Sequence, residues 1–336
     1  MAPSVLSFIN LKGGVAKTTA TVQLADTLAF MKQKRVLVLD LDPQTNATLA
    51  LIGEERWAQA DEAGQTLAHL FLDLLHGTQS FDPARAIVRG ASNLNRVPPE
   101  LMAQLPQDTQ YGRVDILPSS IRLIDVQDRM QDIAARTHYS VNPMEAVKKY
   151  LAPHFAGYDY VLIDCPPNLG FVTQNGLEVS DHYLIPTIPD RLSTYGIGQI
   201  AGRIGELRRA RGLRLTCLGV LLTKFQGSST QHRQGLSRLP GDLERAFAGT
   251  GEATPPILTT RLPQTNAAAE AMTHDRPAST YRDKYGSNVV AGQAAYKYGL
   301  DLADELEDRL RGLSVRRPSA FDTWVSAMTP PAAEKA

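Results

Sequence analysis

A chain of 336 residues, 43% hydrophobic and 21% charged, can bury a sizeable core as one large α/β domain or two smaller ones. Its 35 basic residues balance its 35 acidic ones, so bulk charge points to neither nucleic acid nor membrane, and any such contact must come from a local patch. Two cysteines, Cys165 and Cys217, give no disulfide framework and no metal-ligand spacing, no basic-then-apolar leader opens the chain, and no apolar run reaches the roughly 20 residues of a membrane span. A cytoplasmic protein is expected.

The first apolar run, 5–9, predicts a strand. It leads into Lys12-Gly13-Gly14-Val15-Ala16-Lys17-Thr18-Thr19 and then a helical segment over 20–31. A strand, a glycine turn, a lysine, two hydroxyls and a helix make a phosphate cradle. Backbone N–H groups and the helix dipole face an anion there. Lys17 is placed to reach β- and γ-phosphates, and the Thr18 hydroxyl to ligate magnesium. The pattern departs from the ordinary phosphate loop, because Leu11 and Ala16 stand where glycines are usual. A second lysine, Lys12, is surplus to one nucleotide, so it either faces solvent or serves a second one.

The run 36–39 predicts the second strand, ending in Asp40-Leu41-Asp42-Pro43-Gln44. If strand geometry persists, Asp40 and Asp42 share a face toward the phosphates. One suits an outer contact to magnesium and the other an attacking water; the alternative is an Asp-Pro turn capped by Asp40. Residues 53–113 are less regular, with one amphipathic piece at 66–75 and then Pro83, Pro98, Pro99 and Pro106. They read as a surface insertion. Further strands are expected at 114–117, 160–163, 182–185, 215–222 and 256–258, with helices between most of them. Short, nearly all-apolar strands alternating with helices predict an α/β fold, a mostly parallel twisted sheet covered on both faces. The fourth strand ends in Asp164-Cys165-Pro166-Pro167, which puts an acid where a second-shell magnesium ligand belongs, unless it merely ends in solvent.

Lys-Gly-Gly-x-x-Lys-Thr-Thr, then Asp-x-Asp-Pro-Gln, then Asp-Cys-Pro-Pro, together resemble the ParA/Soj partition ATPases. These are deviant Walker-A P-loop NTPases, grouped with MinD and the nitrogenase iron protein. Leu117-Pro118-Ser119, the 182–186 strand, 219–224 and 262–271 extend the likeness over most of the chain. The resemblance implies a single ATPase domain over 1–313 and a partly flexible tail over 314–336. It implies ATP and Mg2+ as cofactors. Lys12 would cross to the nucleotide of the other subunit in an ATP-sandwich homodimer. Lys17 would bind phosphate within a loop of Gly13, Gly14, Val15, Ala16, Thr18 and Thr19. Asp42 would position the hydrolytic water, and Asp40 and Asp164 would lie near the metal. Thr223, Lys224 and Pro263 would hold adenine. Ala16 is expected to keep a negative φ and change only loop stiffness.

The family also implies non-specific DNA binding and a ParB-like partner that stimulates hydrolysis, on the nucleoid. Candidate contacts are Arg208, Arg209 and Arg211, within a run from Arg203 to Arg214, and Lys224 and Arg233, near His232 and Arg238. A third cluster holds Arg309, Arg311, Arg316 and Arg317. Such phosphate contacts are salt-dependent, but charge runs are also ordinary solvated faces. Phe321, Trp324, Val325 and Met328 have helical spacing, which suits docking on the protein body better than a membrane surface, since the polar face lacks lysines. Alternatives within the same fold are a positioning ATPase for a protein cargo, a MinD-like division regulator and a small-molecule enzyme.

Overall fold

The computed structural model describes residues 2–95, 112–226, 228–276, 278–290 and 293–312. A seven-stranded, all-parallel sheet runs in the order β3-β2-β4-β1-β5-β6-β7. Its strands are β1 (Ser4–Phe8), β2 (Arg35–Asp40), β3 (Arg113–Leu117), β4 (Tyr160–Asp164), β5 (His182–Thr187), β6 (Thr216–Phe225) and β7 (Ile257–Pro263). β7 continues to Pro263, past the expected 258, because it is an edge strand. Its residues alternate between buried and exposed, so it has no continuous apolar run to read.

The longer helices are α1 (Lys17–Lys32), α2 (Asn46–Glu62), α3 (Leu67–His76), α4 (Phe171–Val179), α5 (Arg191–Arg211), α6 (Thr230–Phe247) and α7 (Lys297–Leu310). Successive strand residues point to opposite faces, and the core divides accordingly. Leu6, Phe8, Val36, Val38 and Leu162 pack with Leu24 and Leu28 of α1, Leu51 of α2 and Leu302 and Leu306 of α7. Val5, Leu37, Leu39, Val161 and Ile163 pack with Phe71 of α3, Leu177 of α4, Ile204 of α5 and Leu243 of α6. Both faces are covered, which is why the inner strands are apolar throughout.

The reading of 53–113 as a surface insertion is corrected over its described part. Residue 53 lies inside α2, where Gly53 breaks the helix at φ 73° and ψ 172°. A Cβ there would stand 2.8 Å from Cδ2 of His274, so the kink lets a distant segment approach. Leu67 and Phe71 of α3 are fully buried in the main core. Burying two such side chains contributes about 1.5–3 kcal/mol each, so α3 is structural. Pro98, Pro99 and Pro106 lie outside the described residues, as do Arg316, Arg317, Phe321, Trp324, Val325 and Met328. A small antiparallel hairpin, Val289–Val290 with Gln293–Ala294, was not expected from the sequence.

Candidate nucleotide and magnesium site

The phosphate loop leaves the carboxyl end of β1, between β4 and β5, where open α/β sheets hold ligands. Buried Asn10 fixes its entry. Its Nδ2 donates to the Pro186 carbonyl at 2.7 Å, and its Oδ1 accepts the Lys12 N–H at 2.9 Å. Gly14 takes φ 73°, a left-handed conformation suited to glycine. Val15 is buried, and its carbonyl accepts the Thr223 hydroxyl at 2.8 Å. Ala16 follows at φ 60° and ψ 33°. The expected negative φ is therefore corrected: the loop needs a left-handed residue here, and alanine adopts it at a cost of about 1–2 kcal/mol.

α1 starts at Lys17 with no side-chain cap and no acid in its first turn. Its first N–H donors are left for an anion. Cβ atoms built on Gly13 and Gly14 would meet nothing within 4 Å, so the space before the loop is open. That space is a cavity of about 520 Å3, whose walls include Lys17, Thr18, Asp42, Gln44, Lys224 and Met272. Of the three residues expected around adenine, Lys224 lines it. Thr223 and Pro263 do not: the Thr223 hydroxyl holds the loop, and Pro263 closes β7. Pro167 of the third motif also lines the cavity, and Met272 and Leu49 do so without any signal in the sequence.

Lys17 is 7% exposed, and its Nζ lies 3.4 Å from the Lys12 carbonyl. Burial lowers its pKa, while the Asp164 and Asp42 carboxylates pull it back up. Asp164 is fully buried, and no hydrogen bond of normal geometry reaches either oxygen. Burial and then the neighbouring Asp40 push its pKa well above the usual carboxylate range; the Thr18 hydroxyl and Lys17 offset this only in part. An unpaired buried carboxylate beside a hydroxyl and a phosphate cradle fits magnesium. Thr18 would ligate the ion directly and Asp164 through water, and the ion would neutralise phosphate charge.

Asp40 lies beside Asp164 at the paired ends of β2 and β4, with both of its oxygens already hydrogen-bonded. Its Oδ2 accepts the Thr48 N–H at 2.9 Å and hydroxyl at 2.7 Å, and its Oδ1 accepts the Asp42 N–H at 3.0 Å. Burial raises its pKa to about 7. It anchors the turn between β2 and α2. β2 ends at Asp40, so the strand geometry that would have paired Asp40 with Asp42 stops there. Asp42 instead lies in the loop and lines the cavity. Its carboxylate accepts the Gln44 N–H at 3.0 Å, and its carbonyl accepts the Ser119 hydroxyl at 2.7 Å.

Lys12 binds within its own chain, Nζ to Asp190 Oδ2 at 3.0 Å. Within the first basic cluster, Arg208 and Arg211 lie against carboxylates. Arg211 pairs with Glu178 at 2.9 Å and with Glu145. Arg208 lies 3.5 Å from Glu252, and Arg209 donates to the Thr250 carbonyl at 3.4 Å. Arg233 and Arg238 are exposed on α6.

A family model described as an AAA domain matches residues 3–216. Sporulation initiation inhibitor protein Soj of Bacillus subtilis is 28% identical over 302 residues, 90% of this chain and 97% of Soj. The chain belongs to the ParA/Soj-type P-loop ATPases. Chromosome partitioning protein ParA of Caulobacter vibrioides is 28% identical over 308 residues, 91% of this chain and 95% of that one. An uncharacterised Mycobacterium tuberculosis protein is 30% identical over 305 residues, 91% of this chain and 79% of its own. Among solved structures, cobyrinic acid a,c-diamide synthase of Mycobacterium smegmatis with ADP and magnesium bound superposes with a TM-score of 0.58. It is 27% identical and covers 81% of this chain and 91% of that one. Apo McdA of Cyanothece gives a TM-score of 0.63 at 17% identity, covering 91% and 99%, which is a likeness of fold.

In this ParA/Soj-type ATPase the phosphate cradle is one continuous strand-loop-helix unit. Asn10 and Thr223 fix the loop's two sides. The acid-bearing ends of β2 and β4 pair at Asp40 and Asp164 directly beside it. No helix among the described residues is long and apolar enough to cross a membrane.

Proposed function

We propose that this ParA/Soj-type ATPase is a DNA partition protein. ATP with Mg2+ closes two copies face to face, the dimer binds DNA non-specifically on the nucleoid, and a ParB-like partner stimulates hydrolysis, moving a plasmid or chromosome. The observation that carries the reading is the pair of lysines on one loop. Lys17 lies buried at the cradle, while Lys12 sits at the surface on an ion pair between partly exposed groups. Such a pair is worth little in isolation, so a triphosphate on a second copy can outcompete Asp190 for Lys12. Asp42, held by Ser119 and Gln44, positions the attacking water. Residues 1–313 act as one ATPase domain.

With Arg208 and Arg211 committed to carboxylates, DNA contact falls to the remaining basic residues, Arg233 and Arg209 foremost, with Lys224 shared with the nucleotide cavity. DNA retention with ATP, with ADP and without nucleotide, at two salt concentrations, tests the reading. Retention that needs ATP and falls steeply with salt is expected. Equal retention in all three states would remove the partition role.

The likeness to the Mycobacterium smegmatis synthase favours a second reading, ATP-dependent amidation of a small molecule. Lys12 speaks against it, because such an enzyme has little use for a lysine reaching another subunit. Nucleotide turnover unaffected by dimer-blocking substitutions at Lys12 would favour the synthase reading.

A further inference from the structure

A second cavity lies at the opposite edge of the sheet. β2 and β3 begin there, at Arg35 and Arg113, and the chain enters β4 through Gly157 and Tyr158. Along β2 this edge is roughly 17 Å from the Asp40 end, taking about 3.3 Å per residue. The cavity measures about 380 Å3, within the range of small-molecule sites. Arg35, Arg89, Arg113, His154 and Tyr158 line it, with Ile87 and Pro153 as an apolar flank.

The wall is built around one buried acid. Asp115 is fully buried and accepts the Gly90 N–H at 2.9 Å, the Arg113 Nε–H at 3.0 Å and the Tyr158 hydroxyl at 2.8 Å. This fixes Arg113 and Tyr158 and offsets one positive charge. Arg56 donates to the Arg89 and Gly90 carbonyls at 2.9 Å and 3.1 Å, which fixes the loop bearing Arg89. Asp159, at the rim, accepts the backbone N–H of Arg35 at 2.7 Å. Neither the Arg35 nor the Arg89 guanidinium has an ion pair or hydrogen bond among the described residues. The lining thus carries three guanidiniums and no carboxylate.

We propose that this cavity binds a small molecule bearing a phosphoryl group, taken by Arg35, Arg89 and Arg113, with its body against Ile87 and Pro153. Planar guanidiniums match phosphoryl oxygens in bidentate fashion, and Arg113 is held in place for one by Asp115. The concave, partly apolar shape suits a compact ligand, whereas duplex DNA needs an open basic face. The site shares no residue with the phosphate loop, so it does not rest on the partition reading.

Inorganic pyrophosphate is the probe, titrated by calorimetry into the full chain carrying Lys17→Ala, which disables the phosphate loop. Saturable one-to-one binding is expected, weakened about tenfold by adding Arg89→Ala and again by Arg35→Gln. Arg89 is exposed, so its substitution leaves the fold intact and decides the matter if Arg35→Gln melts early. No binding at millimolar pyrophosphate, or binding indifferent to Arg89→Ala, overturns the proposal. So does loss of duplex DNA retention in the arginine variants without any pyrophosphate binding, which would make this edge a nucleic-acid surface.

Discussion

Lys12 and Asp190 hold each other across 178 residues of sequence, Nζ to Oδ2 at 3.0 Å. Both side chains are about one-third exposed, at 35% and 28%. Solvent screens such a pair, which limits it to about 0.2–1 kcal/mol. It is weak enough to break and strong enough to bias where Lys12 rests.

Asp190→Asn therefore should release Lys12 toward a second copy. ATP-dependent association is expected to strengthen by up to about fivefold, the equivalent of 1 kcal/mol. Sedimentation equilibrium with a non-hydrolysable ATP analogue reads it. Association weakened by the change would mean that Asp190 itself belongs to the contact between copies.

Ala16→Gly should relieve the left-handed strain at the mouth of the loop. Glycine adopts φ 60° without a Cβ clash, so the free chain should gain about 1 kcal/mol in urea unfolding at unchanged m-value. A loss of stability would show that Ala16 is unstrained.

Asp164→Asn replaces a fully buried carboxyl whose two oxygens have no hydrogen-bond partner. Without magnesium, the variant should be more stable than the parent by about 1–3 kcal/mol. With ADP and Mg2+, the parent should gain thermal stability while the variant gains much less, and ATP turnover should collapse. A parent and a variant that respond equally to magnesium would take Asp164 out of the metal site.

Glu305 of α7 ties that helix to β7. Its carboxylate accepts the Thr259 N–H at 2.9 Å and hydroxyl at 2.8 Å, the Thr260 N–H at 2.8 Å, and Arg309 Nη2 at 2.9 Å. Burial alone would raise its pKa, but these donors hold it below the ordinary value of 4.5. A depressed pKa stabilises the fold above the unfolded value, and the gain is lost as pH falls through the folded one. Glu305→Gln should cost about 2 kcal/mol at pH 7, and the gap should close in acid. A gap constant from pH 7 to pH 3 would assign the loss to packing.

The seven strands and the phosphate loop were legible because their signals are local. An apolar run between helices predicts a buried parallel strand, and Lys12 to Thr19 lie on one turn. The positions of Asp40 and Asp164 at strand ends were legible for the same reason, each ending such a run. β7 was read short, because its edge position exposes alternate residues and thins the apolar signal.

Contacts between distant segments were decided by the folded chain. Thr223 met the Val15 carbonyl, and Asp40 met Thr48. Arg211 met Glu145 and Glu178 rather than solvent, and three arginines gathered at the far edge of the sheet. Side chains with several possible partners are settled only when packing brings one within bonding distance, because burial penalises every polar atom left without a partner. Periodicity and motif spacing describe neighbours along the backbone; they hold no record of which atoms, a hundred residues apart, share the same desolvated space.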